Sequence, residues 1–257
     1  YRPDDWSGDL LAFAIDADSG AVDDRPEHAL WSAAAQMQPS ATAYDERRIV
    51  TFGGPWRDPQ GVPFRYDALS TSQKQALGAD LTPGSLAEQR ARQLLDYLRG
   101  HAFAQYRPRS SLLGDVVHAT PVLAGQTLFV GANDGMLHAF DARTGAERFA
   151  YVPNLVFKQL PALAAPDYAS HHQFYVDANP YVGEVVENLY QRRSYLVGGL
   201  GKGGKGCYGL LVESRQREPA GAGFGPYQTL FSVDDIGVGS AEPDLGSIVL
   251  WEYPRHE

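Results

Sequence analysis

The chain has 257 residues, one cysteine and a formal charge of −9, from 22 Lys and Arg against 31 Asp and Glu. No basic patch offers a nucleic-acid footprint, and no apolar run approaches the ~20 residues that span a bilayer. The lone Cys207 excludes an internal disulfide and reads as a buried, inert thiol in a strand.

The chain opens without Met at Tyr1-Arg2-Pro3-Asp4-Asp5-Trp6 and closes on Trp251-Glu252-Tyr253, so it is expected to be a piece of a longer protein. Residues Gly8–Asp16 carry the run Leu10-Leu11-Ala12-Phe13-Ala14-Ile15, which predicts a strand apolar on both faces, in the middle of stacked sheets. Arg48–Phe52 predicts a second strand, broken by Gly53-Gly54-Pro55.

Ser70–Gly100 differs in kind. Ser70 with Gln73, and Ser85 with Glu88, have capping-box spacing. After Ser85, residues Ala87, Ala91, Leu94, Leu95 and Leu98 fall on one helical face, and Gly100 is a stop signal. Two helices are predicted here, inserted between strand-rich regions. From Pro121 the pattern is β. Gln126–Ala132 and Met136–Ala142 flank Asn133-Asp134-Gly135 as a hairpin. Ala146–Val152 follows a Gly145 turn, and Pro153–Ser170 reads as loop or short helix. Phe174–Asp177, Tyr195–Leu200, Gly206–Glu213, Tyr227–Asp234 and Ser247–Tyr253 read as further strands.

A phrase recurs. Gly8–Ala21 (GDLLAFAIDADSGA) parallels Leu137–Ala146 (LHAFDARTGA): an apolar strand, Asp16-Ala17 against Asp141-Ala142, then Gly20-Ala21 against Gly145-Ala146. A strand, an Asp-Ala step and a Gly turn repeated in one chain predict the blades of a β-propeller.

Several motifs imitate chemical sites. Gly199, Gly201 and Gly204 meet a G-x-G-x-x-G pattern, and Gly199, Gly204 and Lys205 mimic a phosphate loop. Such loops need a following helix to hold the anion, and Cys207–Val212 reads as strand, so a glycine-rich turn is expected. Asp16-x-Asp18-x-Gly20, with Asp24 and Glu27, imitates a calcium loop but follows a strand, which predicts a turn capped by Asp side chains. His118, His138, His171 and His172 read as structural histidines rather than metal ligands. Trp6, Trp31, Trp56 and Trp251 read as core or blade-docking residues. No nucleophile–base arrangement is found, and no catalytic, cofactor or metal residue is assigned.

The phrases Arg109–Pro121 (RSSLLGDVVHATP), Gly131–Ala142 (GANDGMLHAFDA), Phe149–Asn154 (FAYVPN), Phe174–Asp177 (FYVD) and Val197–Gly206 (VGGLGKGGKG) occur in this order. Together with Trp6–Leu10 and Val249–Glu252, they resemble the C-terminal β-propeller domain of the PilY/PilC family of type IV pilus tip-associated proteins. The resemblance spans nearly the whole chain. It implies an all-β-dominated fold, a modified β-propeller with quinoprotein-like blades. Residues 1–257 would form part of one propeller domain, with 70–100 as a helical insertion.

The resemblance also implies export to the cell surface, pilus tip, outer membrane or periplasm of a Gram-negative bacterium. It implies a non-enzymatic role in pilus assembly, opposition to retraction, surface adhesion, twitching motility and virulence. The implied partners are pilus subunits and host or abiotic surfaces, with Ser70–Gly100 and Pro153–His172 as the expected contact regions. Calcium is implied for the family through a D-x-D-x-D-x-x-x-D loop, which this sequence does not contain. The rival reading is a pyrroloquinoline-quinone-dependent dehydrogenase, whose blades share the step Ala139-x-Asp141-x-x-Thr144-Gly145, though adjacent cysteines are impossible here. A scaffolding propeller in outer-membrane assembly is a third reading, which the ordered phrases do not favour.

Overall fold

The computed structural model describes residues 2, 4–40, 42–54, 60–220, 223–237 and 240–254. In chain order come β1 (Leu11–Ala12), β2 (Trp31–Ser32), α1 (Ala33–Gln36), β3 (Ile49–Gly53) and β4 (Gln60–Pro63). Next are α2 (Thr71–Ala76) and α3 (Leu86–Arg99), followed by the strands β5 (Val122–Ala124), β6 (Thr127–Gly131), β7 (Leu137–Asp141) and β8 (Glu147–Val152). The remaining strands are β9 (Tyr181–Val186), β10 (Gln191–Gly199), β11 (Cys207–Gln216), β12 (Pro219–Ala220), β13 (Gly223–Phe224), β14 (Gln228–Ser232) and β15 (Val249–Tyr253).

Strands dominate, in two large sheets. The first has the order β4-β3-β8-β7-β6-β5. Its half β5–β8 is an antiparallel meander, and β3 joins β8 in parallel, Ile49 opposite Ala150. Side chains alternate through this sheet. Phe129, Ala139 and Phe149 enter the main core, whereas Val130 and Phe140 enter a second core with Ala33, Met37, Leu112 and Leu113. Both faces are therefore covered.

The second sheet has the order β9-β10-β11-β14, and β15 pairs the N-terminal end of β11, Tyr208 opposite Glu252. A bulge at Ser214/Arg215 lies within the β14 pairing, and one at Gly209/Leu210 within the β15 pairing. The strand thus takes one partner at each end. Tyr181, Val185, Val197 and Leu250 remain exposed on this sheet.

The helices form where their caps predict. Ser70 Oγ accepts from the Gln73 amide, and Gln73 Oε1 accepts from the Ser70 amide, a complete capping box. At α3, Ser85 Oγ accepts from the Glu88 amide, but the Glu88 carboxylate reaches the amide of Gly84 instead of closing the box. The inner face of α3, with Ala91, Leu94, Leu95, Tyr97 and Leu98, is embedded in the main core, and Gln89, Arg90 and Gln93 face outward.

Two expected strands differ. Only Leu11–Ala12 of the Gly8–Asp16 run pairs as strand, with β2, and Ile15 is 70% exposed. The run lacks a covering layer because β1 and β2 form a sheet of two strands only. Phe174–Asp177 is a bent crossing segment, whose backbone is fixed by single contacts instead of a ladder. The expected loop or short helix at Pro153–Ser170 is a series of 3₁₀ turns, Asn154–Val156, Leu160–Ala164 and Tyr168–Ser170. With Phe157 they bury Val156, Leu160, Leu163, Ala164 and Tyr168, while Lys158, Pro166, Asp167, Ala169, Ser170 and His171 of this stretch are exposed. Among the described residues, no helix is long and apolar enough to cross a membrane.

Candidate functional site

The ordered phrases converge on one buried network. At its centre the β6–β7 hairpin closes with the Met136 carbonyl accepting from the Ala132 amide. Asp134 Oδ2 accepts from the Gly114 amide, and Asp134 Oδ1 from the Met136 amide. Asn133 donates through Nδ2 to Asp115 (2.8 Å) and accepts at Oδ1 from the Tyr175 amide (2.9 Å). The Arg109–Pro121, Gly131–Ala142 and Phe174–Asp177 phrases are thereby stitched together by side chains of one turn.

The Phe174–Asp177 segment passes between two glycines. A Cβ at Gly131 would lie 2.4 Å from the Val176 carbonyl oxygen, and one at Gly203 only 1.8 Å from that of Tyr175. Only glycine admits backbone at this distance. Gly201–Gly203 is a single 3₁₀ turn leading into β11, so the glycine-rich run cradles protein backbone, and strand rather than helix follows it.

His138 is fully buried on β7. Its Nδ1 lies 2.8 Å from Glu147 Oε1 and its Nε2 2.9 Å from Asp134 Oδ2. Both neighbours are carboxylate oxygens, so both ring nitrogens donate and the ring is an imidazolium. Burial alone would lower its pKa, but the charges and hydrogen bonds of Asp134 and Glu147 outweigh burial and raise it to about 9. Glu147 is also held by Arg47, Nε to Oε2 at 2.7 Å and Nη2 to Oε1 at 2.8 Å. Against the opposing effect of burial, Arg47 and His138 keep the Glu147 carboxyl far below the usual carboxylate range.

The other histidines are placed differently. His172 Nε2 lies 3.0 Å from Asp115, and its ring stacks on Trp6 with centroids 3.8 Å apart. Burial pushes the Asp115 carboxyl up, opposed by Asn133 and His172. His118 Nδ1 lies 2.7 Å from Asp177, and His171 is exposed. Asp115 and Asp177 are the carboxylate partners that sequence spacing misses, because each lies 57 or 59 residues from its histidine. Among the described residues, no group of three or more His, Cys, Asp or Glu is arranged to hold a metal ion. Cys207 is half-buried at the start of β11.

The recurring phrase folds into the same turn twice. Asp16 Oδ1 accepts from the amides of Asp18 and Ser19, its amide donates to the Ala21 carbonyl, and its carbonyl accepts from Gly20. Asp141 makes the corresponding four bonds with Arg143, Thr144, Ala146 and Gly145. Gly20 has φ 69° and Gly145 φ 74°, the left-handed conformation that glycine permits. Trp31 lies over Gly145 and donates from Nε1 to the Ala142 carbonyl at 3.2 Å, docking the N-terminal unit on this turn. Trp251 covers Gly209, and Trp6 donates to the Ala169 carbonyl. Trp56 lies outside the described residues.

Comparison with known proteins covers the same stretch of chain. The family model described as the PilY1 beta-propeller domain matches residues 99–230, which include the whole convergent network apart from Arg47 and Trp6. The chain belongs to the PilY1 β-propeller family. A type IV pilus biogenesis factor PilY1 of Pseudomonas aeruginosa (strain PAK) is 29% identical over 285 residues, covering 97% of this chain and 22% of that protein. A PilY1 homolog of Xylella fastidiosa is 30% identical over 242 residues, covering 80% of this chain and 17% of that protein. Another from the same organism is 32% identical over 271 residues, covering 82% and 18%. The chain thus spans about a fifth of the length of the curated relatives it matches. No solved structure matches it.

Proposed function

We propose that this chain is part of a type IV pilus biogenesis factor that works by binding rather than by catalysis. The observation that carries this reading is the placement of the family phrases. Asn133, Asp134, His138 and Glu147 direct their polar groups at neighbouring protein atoms, which makes the motif a rigidity device. A rigid β scaffold presents loops to partners. The partners in this reading are pilus subunits and the surfaces that pili touch. The consequences are assembly, opposition to retraction, adhesion and twitching, at the surface of a Gram-negative cell. Calcium, if the full-length protein uses it, would bind through residues other than those described.

The twin Asp turns and the docking of Trp31 on Gly145 support quinoprotein-like blades as the architecture, with α2 and α3 inserted between them. The same turn keeps a quinoprotein dehydrogenase as the second reading. Shearing pili from the source bacterium tests the proposal. The full-length protein is expected in the sheared pilus fraction, and pyrroloquinoline quinone with alcohols is expected to give no dye reduction. Retention in the cytoplasm, or alcohol-dependent dye reduction, would overturn it.

A further inference from the structure

The twin turns assign strand positions. In the first sheet the Asp141 turn joins β7 to β8, the third and fourth strands of the β5–β8 meander. The other side of β7 is paired by β6, with Phe140 opposite Leu128 and Ala139 opposite Phe129. The Asp16 turn makes the same bonds, so Leu10–Ile15 occupies the β7 position, and Val22 faces Ile15 across the turn as Glu147 faces Phe140.

Among the described residues, β1 pairs with β2 alone and no strand takes the place of β6. The Asp16 amide donates back to the Ala21 carbonyl, so the alternate amides of Phe13 and Ile15 face the opposite edge, where among the described residues they donate no hydrogen bond. Ile15, Val22 and Leu30 are 70%, 48% and 68% exposed. An edge of free alternate amides flanked by apolar side chains is a template for strand addition, and propellers keep such edges short or covered.

We propose that Leu10–Ile15 is the docking edge for an antiparallel strand of the same polypeptide lying outside these 257 residues, which pairs with it as β6 pairs with β7. The chemistry of the occupant follows from β6: a five-residue apolar strand, Thr127–Gly131 in the first sheet, whose side chains alternate between two covered faces. The relatives leave room for such a segment, since the chain spans about a fifth of their length. A strand from elsewhere in the polypeptide would complete a sheet that holds only its third and fourth strands, and would join distant parts of the chain. The inference rests on the propeller family, not on the pilus role.

The test uses the full-length polypeptide. Amide exchange at Phe13 and Ile15 is expected to be at least ~100-fold slower than in an unstructured peptide, as for paired strands. A benzoylphenylalanine placed at Ile15 should cross-link to a segment of the same chain outside residues 1–257. Unprotected amides overturn the proposal. So does a cross-link to a second copy, to another protein, or only within residues 1–257.

Discussion

His138 and Glu147 show how far burial can be turned into fixed charge. Removing Glu147 would leave Arg47 and His138 in the core without their shared carboxylate, and breaking such a buried pair costs about 3–5 kcal/mol. Glu147→Ala is therefore expected to lose that much in urea unfolding at pH 7; a loss below ~1 kcal/mol would contradict the network. Glu252 is the opposite case. It sits between the sheets, accepting from the Tyr151 hydroxyl and the Asn154 amide, and burial, only partly opposed by those bonds, pushes it up to about 7. A carboxyl raised in the folded state holds its proton better there, so its stabilisation is present at low pH and lost as pH rises through about 7. His138, raised to about 9, contributes stability that is complete below its ordinary value near 6.5 and lost as pH rises through about 9. Glu252→Gln keeps an acceptor for Tyr151 and Asn154 but cannot titrate. It should flatten the pH 5–7.5 part of the stability curve and leave the fall toward pH 9. An unchanged slope below pH 7.5 would rule out this role for Glu252.

The helix caps and the Asp turns are legible in sequence because each is closed by residues two to five apart. Ser70→Ala should cost about 1 kcal/mol through loss of the capping box, read by chemical denaturation. Phe174–Asp177 shows the limit of local pattern. Its apolar, aromatic composition reads as a strand, but its path is set by Gly131 and Gly203, which lie 43 to 46 and 26 to 29 residues away along the chain. Gly203→Ala would drive a Cβ into the Tyr175 carbonyl and is expected to cost at least ~1–3 kcal/mol as overpacking, with faster amide exchange at Tyr175 than in the wild type. Wild-type stability and exchange would remove the close approach from the account. The Gly8–Asp16 run misleads in the other direction: its hydrophobicity fits a covered strand, whereas among the described residues only one strand lies beside it.

At the scale of the molecule, the sheets are joined by contacts that no sequence window contains. Glu242 binds Arg99 of α3 at 2.8 Å, the Ile49 amide of β3 at 3.1 Å and the Arg65 guanidinium. Arg47 reaches Glu147 and Tyr151 reaches Glu252 across 100 and 101 residues. Recognising a β-dominated chain of the propeller family needed only the repeated turn and the ordered phrases, because these encode local geometry. The convergence of those phrases into one buried network was not visible, because it depends on which distant segments meet. The resulting scaffold is densely hydrogen-bonded at its signature residues and leaves apolar side chains exposed on its second sheet and N-terminal edge.

The most direct test of the proposed pilus role is a count of surface pili after deletion of the full-length gene in the source bacterium, with the retraction motor intact and then removed. The account predicts that pili and twitching disappear on deletion and that pili return when retraction is abolished. Unchanged pili and twitching in the deletion strain would contradict it.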